Sequence, residues 1–580
     1  MTPSGAAAAL GAAVLLVGAA RALFANSSPT RDRRDRYGFA TARQLRKEGS
    51  LSAARRRAAQ TRPSLVGANG NHSRVSSQPR RFRGPRGRSY VAWSGRARPG
   101  LGWRGVRGLA GACGRDQLPA HEVGYPLGRV MHRGMQLWPS WEASLRVVAP
   151  PGEGKTFRVL VPILRQHPGP ALATSTKSDL YELTAGAREK VGPIFALDPD
   201  QLAPAAAPVR WSPVAGCEQS VVAERRAAAL VAAAGDEGEV QNGAFFRDSA
   251  RDLLKAYLHA AALEGLDIRA VIGWSRRPDD PTPADVLAYS PLAAPGWADL
   301  VLLHTTGAAE TTSGVLRYIG RALACFSHEP VVEACCPPPS ENFDVEALLV
   351  SSGTVYLMGK GSRLGAVAPL ITAFADEVFD CAERMAATMP GRRLDPPLLG
   401  LLDEAPTIAP LPALPEILAD GRGRGIVTVY AMQSFSQAVT RWGAQRAETM
   451  GNATSITAVL GGLKSPGDLA DLEKLCGQRR SRRVASHQGA RDGSRTVSWD
   501  YEAVLRADQI RTLPAGVGLL LWGRLPPVLA KFSLLTQHAD WPQIQQEEKW
   551  AREANDRARR SHARMAAHHP AATPNRNHSN

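Results

Sequence analysis

Residues 149–156 read Ala-Pro-Pro-Gly-Glu-Gly-Lys-Thr, with Leu145, Val147 and Val148 before them and a helix-compatible run after. Gly152 and Gly154 let the backbone curl until successive N–H groups point at one anion. The following helix turns its positive end toward the same anion. Lys155 supplies a cation for β- and γ-phosphates, and the Thr156 hydroxyl can ligate Mg2+. The pattern predicts a strand, a phosphate-binding loop (Ala149, Pro150, Pro151, Gly152, Glu153, Gly154, Lys155 and Thr156) and a helix. Ala149 stands where such loops usually carry glycine. Glu153 brings a carboxylate into the loop and has to point away from a phosphate. A chain with 54 glycines and 43 prolines could also hold such a turn by accident, so a second element is needed.

Residues 398–404 supply it, reading Leu-Leu-Gly-Leu-Leu-Asp-Glu. A buried strand that delivers two acids at its C-terminal end suits Mg2+ binding and water activation. Asp403 would hold the metal, directly or through water, and Glu404 would polarise the attacking water. The alternative is a strand followed by an acidic helix cap. With the loop, the pair predicts a P-loop fold that binds ATP and Mg2+.

At 580 residues and 44% hydrophobic composition the chain can bury a large core. Its charge is segregated. Residues 31–107 hold 21 lysines and arginines against 3 acids, the whole of the net +18. That segment suggests contact with membrane lipids or nucleic acid, although arginine is abundant in any Ala/Arg/Gly/Pro-rich chain. Seven scattered cysteines without framework spacing fit a reducing compartment, and no metal other than Mg2+ is expected. Residues 5–20 are uncharged and mostly Ala, Leu and Val, with a break at Arg21. Residues 1–25 are read as a membrane anchor, and the arginines from Arg31 would hold the rest in the cytoplasm. A plain Ala-rich tail or a shortened start would look the same.

Residues 26–115 have little apolar periodicity and are expected to be a largely disordered basic linker, with a short helix possible around 38–46 and order beginning near His121. Strands at 171–174 and 193–197 alternate with a helix at 178–190, the pattern of a parallel sheet covered by helices. This makes 116–217 the first part of a nucleotide-binding domain. Residues 218–345 read as helices throughout and are expected to form an inserted all-α domain. Alternation resumes over 346–540: strands at 354–358, 398–403, 426–431, 456–460, 516–522 and 528–532, and helices at 365–386, 412–422 and 466–476. Residues 479–493 are polar and basic and read as a surface loop. The tail 541–580 begins as a charged helix without a packing pattern.

A third constellation lies at 421–434, Gly-Arg-Gly-Arg-Gly-Ile-Val-Thr-Val-Tyr-Ala-Met-Gln-Ser. The apolar strand ends at Gln433, whose amide could touch a γ-phosphate or its water. Arg422 and Arg424 could simply cap a helix C-terminus, or reach a neighbour's nucleotide in a ring of subunits.

Over residues 121–535 the chain resembles the TraG/TraD-type coupling proteins of conjugation and type IV secretion, RecA-like ATPases. The resemblance rests on the loop 149–156, Thr174-Ser175-Thr176-Lys177-Ser178-Asp179-Leu180-Tyr181-Glu182-Leu183-Thr184, Leu197-Asp198-Pro199, Trp211-Ser212-Pro213, the stretch 245–254, Asp403-Glu404-Ala405, Gly421-Arg422 and Gln433-Ser434-Phe435-Ser436-Gln437. It implies a hexamer anchored in the inner membrane that drives single-stranded DNA with its relaxosome, or a protein effector, into a type IV secretion channel. It also implies nucleotide binding by Lys155 and Thr156, Walker B roles for Asp403 and Glu404, phosphate sensing by Gln433, and an intersubunit arginine at Arg422, with Arg424 second. Ser175 departs from the aspartate relatives often carry, and one weak apolar stretch replaces the usual two membrane helices. The alternatives are an FtsK/HerA-like double-stranded DNA pump and a nucleotide-gated receptor that does not hydrolyse.

Overall fold

The computed structural model describes residues 38–66, 80–83, 89–92, 118–131, 134–234, 243–360, 364–486 and 495–568. The expected anchor at 1–25 and most of the basic segment lie outside them. Within 80–107 a hairpin joins β1 (Arg80–Arg83) to β2 (Ser89–Ala92). Among the described residues no helix is long and apolar enough to cross a membrane.

One large sheet organises the chain. Its strands are β3 (Arg129–Val130), β4 (Leu145–Val148), β5 (Ala171–Ser175), β6 (Ile194–Leu197), β7 (Ala207–Pro208), β8 (Thr354–Met358), β9 (Leu398–Leu402), β10 (Ile426–Met432) and β11 (Ile456–Leu460). After a separate ribbon, β12 (Gln478–Ser486) with β13 (Arg495–Ala503), come β14 (Val517–Trp522) and β15 (Val528–Lys531). The spatial order is β3-β15-β14-β11-β4-β10-β9-β5-β8-β6-β7. The run from β11 to β7 is parallel, while β14, β15 and β3 join antiparallel at one edge.

The central strands are continuous apolar runs because both faces are covered. Along β9, Leu398 and Leu402 enter the core on one face, and Leu399 and Leu401 the core on the other. Gly400 sits where a Cβ would come within 2.5 Å of Phe379, so its missing side chain lets helix Leu364–Thr388 lie close over the sheet.

Among the described residues no strand interrupts the chain between Pro208 and Thr354. Its helices pack on the face covered by Leu364–Thr388. Trp211 stands edge-on to Phe374 at 5.2 Å. Arg225 and Arg226, on helix Ser220–Ala233, each bond the Glu377 carboxylate, at 2.9 and 2.7 Å.

Four expectations need correction. Residues 38–66 are not linker: helices Ala42–Glu48, Leu51–Arg56 and Ala58–Thr61 dock through buried Leu45 and Ala58, and Arg62 bonds Asp395 at 2.6 Å. These helices are too short for an apolar period to register, and local caps at Thr41 and Ser50 start them. Of residues 479–493, expected as a surface loop, 479–486 belong to strand β12 and pair with β13, and 487–493 lie outside the described residues. The tail helix, Trp541–His568, packs on helix Asp179–Arg188: Ile544, Ala551 and Asn555 are buried, and Glu547 pairs with Arg165 at 2.7 Å. Few positions carry that contact, so its charged surface masks it. Finally, the helix after the phosphate loop opens with a π turn, Thr156–Leu160, before helix Val161–Gln166. Pro162 has no N–H to offer Arg158, and the Val161 N–H reaches back to the Thr156 carbonyl instead.

Candidate nucleotide site

The phosphate loop, the acidic pair and Gln433 meet at the C-terminal ends of adjacent parallel strands. β10 lies between β4 and β9, so the glutamine strand separates the loop strand from the acidic strand. Such strand ends are where open α/β sheets bind ligands.

Ala149 is buried, and its N–H donates to the Met432 carbonyl at 3.1 Å, fastening the loop to the end of β10. It directly follows β4 and is not among the residues with positive φ, so a side chain is tolerated in the glycine position. Gly152 and Gly154 have φ of +90° and +76°, the left-handed region the curl requires. Glu153 leans toward β11, where a Cβ on Gly462 would come within 3.2 Å of its Oε1. It thus faces sideways rather than into the site.

Lys155 Nζ pairs with Glu404 Oε1 and lies 3.4 Å from Asp403 Oδ1. Thr156 Oγ1 donates to Asp403 Oδ2 at 3.1 Å. Gln433 Nε2 donates to Glu404 Oε2 at 3.1 Å. The loop residues and the acids they meet, 247 to 249 positions apart, thus share one cluster.

Burial pushes the Asp403 carboxyl above its ordinary range, Lys155 opposes that, and the Glu404 charge adds to it. Asp403 Oδ1 is buried and accepts no hydrogen bond. A hydroxyl and a buried carboxylate, whose Oδ1 has Lys155 as its charged neighbour at 3.4 Å, form a hard donor set of the kind Mg2+ takes, so Thr156 and Asp403 fit that ion. Glu404 has φ +54° and ψ +44°, left-handed for a residue with a Cβ. The chain turns there from β9 into the short helix Ala405–Ile408, and Lys155 and Gln433 hold the displaced carboxylate.

Two residues join the site that were not singled out individually. Thr174 Oγ1 donates to the Asp403 carbonyl at 2.9 Å, and Gln437 Oε1 accepts from the Gln433 N–H at 2.8 Å. Their signal was faint: Thr174 is a polar residue in an otherwise apolar strand next to β9, and Gln437 follows Gln433 by four.

Arg422 and Arg424 do not approach this cluster. They end helix Leu414–Arg424, ahead of β10, whereas Gln433 follows its far end, roughly 20 Å away along a seven-residue strand. Arg424 pairs with Glu383 at 3.1 Å. Arg422 is 3.8 Å from Glu142, and its side chain is 60% exposed.

The parallel order, the curled loop at the end of β4 and the acids at the end of β9 define a RecA-like P-loop NTPase. Two family profiles match the chain: one for type IV secretory system conjugative DNA transfer over residues 128–288, and one for the TraM recognition site of TraD and TraG over 397–515. Protein VirD4 of Rhizobium rhizogenes is 26% identical over 412 residues, covering 66% of this chain and 57% of that protein. The chain therefore spans little more than half the length of that relative. Among solved structures, the unbound conjugative coupling protein TrwBdeltaN70 aligns with a TM-score of 0.51 at 19% identity, covering 70% of this chain and 88% of that one. TrwB in complex with the non-hydrolysable ATP analogue ADPNP gives 0.50 at 19% identity, covering 70% and 89%. At that identity the two structures speak for the fold. In segments 128–288 and 397–515 the chain is similar to the TraG/TraD-type coupling proteins.

Proposed function

We propose that this protein hydrolyses ATP with Mg2+ and uses the energy to drive DNA, with its relaxosome, or a protein effector into a type IV secretion channel. One observation carries the reading: Lys155, Thr156, Asp403, Glu404 and Gln433 converge on one cluster from three separate stretches of chain. The family matches support the transport context.

In this reading the loop N–H groups and Lys155 bind the triphosphate. Lys155 leaves Glu404 for the γ-phosphate, which frees the carboxylate to accept a proton from the attacking water. Gln433 then orients Glu404 and reports whether the γ-phosphate is present. Thr174 holds the Asp403 backbone in place. When bound to Thr156 and Asp403, Mg2+ supplies charge neutralisation on the phosphate oxygens.

Further parts of the reading are a homohexamer, contact with channel components and membrane lipids, and an inner-membrane location through residues 1–25. Residues 218–345 act as an all-α unit facing the substrate. Arg422, the more exposed arginine, reaches the neighbouring subunit's nucleotide, and Arg424 is second.

An FtsK/HerA-like duplex pump fits less well with the long helical stretch between β7 and β8. A receptor that does not hydrolyse fits less well with Glu404 beside Lys155.

The deciding experiment is steady-state ATPase of the full chain with and without single-stranded DNA. Mg2+-dependent turnover that rises severalfold with DNA supports the DNA motor. Turnover that ignores DNA moves the reading to protein cargo, and absence of turnover overturns it. Arg422→Ala should abolish turnover without lowering nucleotide affinity; full activity would remove Arg422 from its role.

A further inference from the structure

Among the described residues, the ribbon of β12 and β13 pairs with no other strand. Side chains alternate along each strand, so register partners share a face. Arg480 faces Tyr501 in register, and Trp499 and Val497, two and four positions before Tyr501, lie on the same face. None of these four residues is acidic. Both acids of the ribbon, Asp500 and Glu502, fall on the other face, where Glu502 pairs with Arg479 at 2.7 Å. Val497, Trp499 and Tyr501 are 42%, 48% and 68% exposed. The Arg480 guanidinium lies 4.7 Å from the Trp499 ring centroid.

Rings with a cation beside them and no acid among them complement an anion that also has flat apolar surfaces. We propose that this face binds single-stranded nucleic acid, with bases stacked on Trp499 and Tyr501 and a phosphate paired with Arg480. The strand spacing favours a single strand over a duplex. Residues two apart on a β-strand lie roughly 7 Å apart, about twice the 3.4 Å rise per base of a duplex strand, so each ring meets a base that has left its stack. Charge disfavours a second copy of this chain: two such faces would set Arg480 against its own copy. The inference rests on the transport reading and names its substrate class.

The test uses the full chain and a fluorescein-labelled 30-nucleotide oligo-dT, read by anisotropy. The double variant Trp499→Ala/Tyr501→Ala should bind at least about tenfold more weakly, because each lost base–ring stack is worth about that much or more. Trp499→Phe/Tyr501→Phe should stay within about threefold of the parent, since stacking survives. Arg480→Ala should flatten the salt dependence by somewhat less than one unit of slope. The ribbon lies outside the nucleotide cluster, so basal ATPase should not change in any of these variants. No oligo-dT binding by the parent, equal binding by the double-alanine variant, or a change in its oligomeric mass by light scattering would each overturn the inference. Ribbon-dependent binding in a chain without ATPase would sink the motor and leave this inference standing. ATPase with ribbon-independent DNA binding would do the reverse.

Discussion

Gln433 donates from Nε2 to Glu404 Oε2 at 3.1 Å, while Lys155 holds the other oxygen of the same carboxylate. One acid, at a left-handed turn, is thus fixed from two sides by residues at the ends of two other strands. If Glu404 is the base, its aim depends on Gln433. Gln433→Ala should lower kcat by about a hundredfold with little change in KM, as for loss of one oriented polar group. Steady-state kinetics would check this, and unchanged kcat would remove Gln433 from the site.

Lys155 and Glu404 should separate binding from chemistry. Lys155→Ala removes the cation for the triphosphate and should abolish both nucleotide binding and turnover. Glu404→Gln keeps the shape, removes the competitor for Lys155, and should bind ATP at least as tightly while turnover falls by more than a hundredfold. Fluorescent-nucleotide titration beside an ATPase assay reads both. Parental turnover in either variant would refute the assigned roles.

Asp403 predicts a pH dependence. Burial raises its pKa, so the folded chain holds the proton more tightly than the unfolded chain. Its contribution to stability is fully present below the unfolded pKa and is lost as pH rises through the folded one. Asp403→Asn should therefore melt higher than the parent at pH 7 in EDTA, and the gap should narrow as pH falls through the carboxylate range. The variant should lose the melting shift that Mg2+ and ATP give the parent. Equal melting curves at pH 7 would count against the buried charge.

Glu377 holds two arginines of helix Ser220–Ala233, and Arg226 is 1% exposed. Glu377→Ala leaves that buried cation without a counter-charge and should destabilise the chain by about 3–5 kcal/mol. Urea unfolding followed by circular dichroism would measure it. A loss below about 1 kcal/mol would mean that apolar packing alone secures the helix.

Much of the architecture was legible because local chemistry dictates it. β8 (Thr354–Met358) and β11 (Ile456–Leu460) lie where their mostly apolar runs place them, since both faces of each strand are buried and Thr354 and Thr457 are their only plainly polar residues. Helix Pro466–Cys476 begins after its Ser465 cap. The phosphate loop was readable because its curl needs glycines in fixed places. The N-terminal helices and the docked tail were not, because they are held by contacts such as Arg62 with Asp395 and Glu547 with Arg165 that join positions hundreds of residues apart.

By itself, then, the order of residues determined which side chains could handle a phosphate: Lys155, Thr156, Asp403, Glu404 and Gln433. Only the tertiary structure decided that they meet, because β10 is inserted between β4 and β9 by strand pairing that no local stretch encodes. It also decided that Arg422 and Arg424 stay away from them. A strand carries its two ends to opposite edges of the sheet, so neighbours in sequence across β10 end up about 20 Å apart.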